Sequence, residues 1–178
     1  IKLSNYQKLL ATAFQDTYIL PMSIAENIAF REATSNVEEI KRCLKMAGLD
    51  GEFLDETKPL TKMLFPDGIV PSGGQEQKII LARVAFKLIY GNAQLLILDE
   101  PTAAMDAISE KNFYEKYISL AKNKSCILIS HRLKSTSFCD SIIVMENGKI
   151  IEKGTHESLM NEDTHYKSMY QIQSSYYQ

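Results

Sequence analysis

The sequence predicts an α/β fold, a mostly parallel sheet flanked by helices with a small helical subdomain. Three observations carry that prediction. Leu95-Leu96-Ile97-Leu98 is an apolar run without polar alternation, as expected of a parallel strand buried on both faces. Asp99 and Glu100 follow it directly, and Pro101 then stops the ladder, so two acids stand at a strand's carboxyl end, where open α/β sheets bind ligands. Ser125 to Ser130 reads as a second buried strand, with His131 expected on the same sheet edge as the acids.

The chain in order supports the same plan. Asn5 to Leu10 reads as a turn or short helix, and Leu9 to Phe14 as a strand ending at Gln15. Tyr18-Ile19-Leu20-Pro21-Met22 is a loop of large apolar residues, the composition of a docking site. Ser23 caps a short helix through Ile24, Ile28 and Phe30. Ser35-Asn36-Val37-Glu38 reads as a capping box, opening a helix with Val37, Ile40, Leu44 and Ala47 inward and Gly48 at its end. A further short helix is expected around Glu52 to Thr57.

Ser72-Gly73-Gly74-Gln75 is the second informative stretch. Ser72 with Gln75 forms a capping box, and Ile80, Val84 and Leu88 share a face of the helix it opens. Capping does not explain two glycines in the first turn, each costing about 1 kcal/mol relative to Ala. Bare amides at a helix N-terminus suit a phosphate, which the dipole also favours.

Beyond the acidic strand, Asp106 is placed as the cap of a helix with Phe113, Tyr117 and Leu120 facing inward. Ile142 to Met145 and Lys149 to Lys153 flank Asn147-Gly148, a type I′ hairpin signal. Thr155 opens a short helix to Met160, and Thr164 caps a last one that carries Tyr166, Met169, Tyr170 and Gln173 on one face.

Composition narrows the function classes. A net charge of −2 over 178 residues lacks the basic footprint of a nucleic-acid binder. Mean hydropathy is −0.17, and no uninterrupted apolar segment long enough to cross a bilayer occurs. Cys43, Cys126 and Cys139 are expected as buried free thiols. The chain opens at Ile1 within a pattern and reads as a fragment.

These residues resemble, in order, the motifs of an ATP-binding cassette (ABC) transporter's nucleotide-binding domain, of exporter type. Gln15 is similar to the Q-loop, Ser72 to Gln75 to the signature motif, and Leu95 to Glu100 to Walker B. Ala103 to Asp106 is similar to the D-loop, and His131 to the switch histidine. The tracts Phe14 to Tyr18, Ala25 to Ile28 and Gly148 to Glu157 resemble exporter cassettes. Pro71, Ala103 and Met105 depart from the usual residues. No Gly-x-x-x-x-Gly-Lys-[Ser/Thr] occurs, so the chain resembles a cassette without its own P-loop or adenine-stacking aromatic.

The resemblance implies a P-loop NTPase-like, RecA-like core. Its parts would be a Q-loop region over 1–22, a helical signature subdomain over 23–90, and Walker B, D-loop and H-loop elements over 91–178. It implies ATP and Mg²⁺, with Asp99 and Gln15 at the metal, Glu100 polarising water and His131 on the γ-phosphate. Ser72, Gly73, Gly74, Gln75 and Asp106 would meet nucleotide. A second cassette would pair head to tail, as homodimer or heterodimer, and a transmembrane permease domain would dock on Tyr18 to Met22, at the cytoplasmic face of a membrane. The permease would precede the cassette, and Gln178 would close the chain. Chromosome-maintenance ATPases share the signature, but Gln15 to Ser72 leaves no room for their coiled coil. A serine hydrolase would need a Gly-x-Ser-x-Gly elbow, which is missing. The rival from another class is a truncated, catalytically silent cassette acting as an interaction module.

Overall fold

A computed structural model describes residues 2–30, 36–102, 105 and 107–175. They fall into two compact units, Ile1–Ile129 and Ser130–Gln178.

The first unit is built on a three-stranded parallel sheet: β1 (Leu10–Ala13), β2 (Leu95–Asp99) and β3 (Ser125–Ile129). Their order is β1-β2-β3, with Leu10 opposite Leu95 and Asp99 opposite Ile129. The predicted parallel pairing holds, but the burial differs. Leu96 and Leu98 are closed off, whereas Leu95 and Ile97 are only half-buried. β3, expected to be buried, is an edge strand with Ile127 and Ile129 about half exposed, at 48% and 50%. Apolar composition records the need for cover but not which described element supplies it, and only one face of β2 is closed among the described residues.

Helices close that face. α4 (Gly73–Ile89) packs against β1, and α5 (Ala107–Leu120) sends Phe113 and Tyr117 into the same core as Leu96 and Leu98. Ile80, Val84 and Leu88 are buried as their spacing predicts. Tyr117 Oη donates to the Leu81 carbonyl at 2.8 Å, which satisfies a hydroxyl placed in an apolar core. Lys124 Nζ reaches the carbonyls of Leu88 and Ala93, tying the end of α4 to the start of β2.

The helical subdomain follows its local signals closely. α2 (Ile24–Ala29) starts at a complete capping box between Ser23 and Glu26. α3 (Val37–Met46) ends in a Schellman motif, in which Leu49 N–H meets Leu44 O and Gly48 N–H meets Lys45 O, with Gly48 at φ +80°. Asn36 stands at its N-cap without a side-chain cap bond, and Ser35 lies outside the described residues. The helix expected at 52–57 is instead one 3₁₀ turn, Gly51–Leu54, because Asp55 leaves helical geometry and its carboxylate takes the Thr57 amide. Of the cysteines only Cys43 is fully buried, and burial pushes its thiol up to about 12. Cys126, on the edge strand, is exposed.

The second unit carries the predicted hairpin, β4 (Ile142–Glu146) with β5 (Lys149–Gly154), antiparallel. Asn147 and Gly148 have φ of 49° and 76°, as a type I′ turn demands. α6 (His156–Asn161) is boxed by Thr155 and Ser158, and α7 (His165–Ser175) takes a bond from the Lys167 amide to Thr164 Oγ1 at 3.0 Å. Glu152 accepts the His165 and Tyr166 amides at the same helix end. Leu133, Ile142, Val144, Leu159 and Tyr166 form the core of this unit. Among the described residues no helix is long and apolar enough to cross a membrane.

Candidate functional site

An open cleft of about 230 Å³ in the first unit is lined by Gln15, Gly73, Gln77, Asp99, Glu100 and neighbouring apolar residues. Three element ends build it. β1 stops at Ala13, and a turn from Phe14 to Thr17, closed by Thr17 N–H to Phe14 O at 3.1 Å, delivers Gln15. β2 delivers Asp99 as its last residue, with Glu100 next. The N-terminus of α4 delivers Gly73.

Glu100 is held in an unusual backbone. Its φ is +48°, in the left-handed region, while its N–H donates to Ile129 O at 3.0 Å across the end of the ladder. A non-glycine residue there costs roughly 1–2 kcal/mol, and such outliers gather at functional sites. The left-handed twist turns the strand out of the sheet at the residue whose carboxylate lines the cleft. The sequence gives no warning of it.

At α4, Ser72 Oγ accepts the Gln75 amide at 3.4 Å and Gln75 Oε1 accepts the Ser72 amide at 2.8 Å. Apart from the adjoining residues and the helix's own backbone, no described atom lies within 4 Å of where a Cβ on Gly73 or Gly74 would sit. The glycines therefore keep open a space that a side chain would occupy, at the positive end of a 17-residue helix.

Gln77 was not singled out by the sequence reading. Its Nε2 donates to the Pro101 carbonyl, which ties α4 to the segment just after the acids, and its Oε1 is buried without a partner among the described residues. A buried orphan acceptor is costly, so a ligand-bound water or cation is a natural occupant of the space beside it. Its place two residues past the capping box was the only available signal.

The electrostatics are one-sided. Among the described residues, Glu76, Asp99 and Glu100 line the cleft and no Lys, Arg or His does. Carboxylate and amide oxygens are hard donors that suit a Mg²⁺ ion retaining several waters, which fits Asp99 with Gln15. The same walls give a triphosphate no cation of their own. Among the described residues no three His, Cys, Asp or Glu side chains converge to hold a metal without such waters.

Asp106 lies outside the described residues. His131 belongs to the second unit, where its carbonyl accepts from Gln173 Nε2 at 2.5 Å. The apolar loop is half as predicted: Tyr18 is 78% exposed, while Ile19 packs on the core. Buried Asn27 holds it by accepting the Leu20 amide and donating to the Leu20 and Met22 carbonyls. Arg83 in turn donates through Nε to the Asn27 carbonyl at 2.6 Å, its guanidinium over Phe30 and its pKa lowered by burial.

No family model matches the chain. It is 39% identical over 160 residues, 90% of its length, to YgaD of Bacillus subtilis, assigned as a multidrug export ATP-binding/permease protein. It is 36% identical over 98% of its length to the ATP-dependent lipid A-core flippase of Idiomarina loihiensis, and 36% over 95% to the subtilin transport ATP-binding protein SpaT of Bacillus subtilis. The chain belongs to the exporter branch of the ABC family. It spans 27%, 29% and 28% of those three relatives, respectively. Its fold is that of a bacterial Atm1-family ABC exporter solved with ATP bound, with a TM-score of 0.80 over 96% of this chain and 30% of that one, at 24% identity. The likeness to that exporter extends over nearly the whole of this chain's fold.

Proposed function

We propose that the chain forms part of the ATP-binding and ATP-hydrolysing cassette of an ABC exporter, which powers movement of a solute of drug, lipid or peptide class across a membrane from its cytoplasmic face. One observation carries the reading: Asp99 and Glu100 end a parallel strand closed on one face, Glu100 in a left-handed backbone, in a cleft that also receives Gln15 and the glycine start of α4. Mg²⁺, held by Asp99 largely through water with Gln15 nearby, would neutralise charge on the transferred phosphoryl group. Glu100 would polarise the attacking water, contributing on the order of 10²–10⁴ in rate. His131 would hold the γ-phosphate. Ser72, Gly73 and Gly74, with Gln75 completing the cap, would meet the nucleotide of a second cassette paired head to tail, and Asp106 would meet nucleotide as well. Gln15 would relay the site to a permease domain docked on Tyr18 to Met22.

Glu100→Gln in the full-length protein tests this. The amide keeps the shape and loses the base, so ATP binding should persist while turnover falls by about 10² or more. A kcat within threefold of wild type overturns the assignment.

A cleft lined among the described residues by carboxylates and no cationic side chain favours a second reading for the 178-residue chain alone, a silent interaction module. Triphosphate would meet carboxylates there. Calorimetric titration of this chain with MgATP should show no affinity tighter than about 1 mM. Micromolar binding would eliminate the silent reading.

A further inference from the structure

His131 sits in a short stretch of backbone that is held from both sides. Ser130 Oγ accepts the Arg132 amide at 3.0 Å, which closes a local turn across His131. From 42 residues away the Gln173 side chain spans the same stretch, its Nε2 donating to His131 O at 2.5 Å and its Oε1 accepting Leu133 N–H at 2.9 Å. The carbonyl needs a donor and the amide an acceptor, so both bonds form in one orientation of the Gln173 amide only. Two bonds to residues n and n+2 fix the dihedral angles between them, and with them the direction of the His131 Cα–Cβ bond.

α7 is itself well anchored, which makes Gln173 a fixed point. Glu152 accepts amides at its start, and Tyr166 Oη bonds Thr136 Oγ1 at 2.6 Å and His156 Nδ1 at 2.7 Å. Tyr166, Tyr170 and Gln173 follow at helical spacing along one face, and Thr136 belongs to the 3₁₀ turn Leu133–Phe138 that continues directly from the His131 stretch. One helix face therefore grips both ends of the segment that carries the histidine.

We infer that Gln173 is a positioning residue for His131, setting the backbone from which the imidazole reaches the γ-phosphate. This rests on the role of His131 proposed above. Displacing a catalytic group by a fraction of an ångström impairs turnover more than substrate binding.

The test uses the full-length protein and four variants: Gln173→Ala, Gln173→Glu, His131→Ala and the Gln173→Ala/His131→Ala double. Glu keeps the length and the acceptor for Leu133 N–H but sets a carboxylate against the His131 carbonyl. Both Gln173 variants should lower kcat by about tenfold with KM for ATP within about twofold. In the His131→Ala background, Gln173→Ala should change kcat by less than about twofold, because it acts through the missing imidazole. An equal loss in both backgrounds, or a Gln173→Glu enzyme with wild-type kcat, overturns the inference while leaving the His131 role standing. Normal turnover by His131→Ala overturns both, and so identifies which reading failed. If Gln173→Ala does not fold, the inference stands or falls on Gln173→Glu, which retains the helix face.

Discussion

Two helices in the first unit begin with the same device and put it to different use. α2 and α4 both open at a serine whose hydroxyl and N3 partner cap each other. At α2 the next two amides are consumed: Ile24 N–H bonds Lys58 O and Ala25 N–H bonds Glu56 O, and both side chains are buried. At α4 the next two residues are Gly73 and Gly74, whose amides take up no protein acceptor among the described residues and whose Cα positions have room for a side chain. The N3 partner is the anion Glu26 in the first case and neutral Gln75 in the second. A capping box is thus a structural part when the surrounding chain uses up the remaining amides, and a binding element when it leaves them bare.

The sharpest way to break this contrast is to exchange the two failure modes. Ile24→Ala removes a fully buried side chain and should cost about 2–5 kcal/mol of stability in urea unfolding of this chain. A loss below about 1 kcal/mol would mean that α2 is not anchored as described. Gly74→Glu should do the reverse in the full-length protein. An acid in the first turn suits the helix dipole, so the melting temperature should hold within about 2 °C, while a carboxylate where phosphate is expected lowers turnover by about 10²-fold, equivalent to about 2.7 kcal/mol. A variant that loses stability yet keeps its turnover would make α4's start as structural as α2's.

The smallest effect separates the boxes by pH. The Ser23 hydroxyl, and then its amide, hold the Glu26 carboxyl below its ordinary 4.5. Because the folded value lies below the unfolded one, this box contributes fully above the unfolded pKa and loses its contribution as pH falls through the folded value. Amide exchange protection of α2 should therefore weaken on the acid side of pH 4.5, and Glu26→Gln should flatten that dependence. The start of α4, with Gln75 as its partner, has no such term. Equal acid sensitivity at both starts would disprove the distinction.

Much of the local structure, including the strand and helix ends that form the cleft, was legible because its signals are short. Ser72 with Gln75, Asn147-Gly148, and Gly48 after α3 each fix dihedral angles or hydrogen bonds among residues a few positions apart, and all three stand as read. Asp99 and Glu100 were placed at a strand end by the apolar run before them and the proline after. The same reasoning misjudged β3 and the second face of β2, since an apolar strand looks alike whether a helix covers it or not. It also shortened poorly at 52–57, where the Asp55 carboxylate competes for backbone that a helix would have used.

What the sequence determined by itself was the local grammar: where helices start and stop, where the hairpin turns, and that two acids and two glycines end their elements. What only the tertiary structure decided was who meets whom. Gln77 on the Pro101 carbonyl, Asn27 on the apolar loop and Gln173 across the His131 stretch are pairings over 24, 7 and 42 residues. The amide side chains that make them look alike in the sequence wherever they occur. Their partners are backbone groups that every residue carries, so no residue type at the far end marks the pairing. The fold selects such contacts by closing the chain between them, at an entropic cost that the packed cores offset and a short sequence window does not contain.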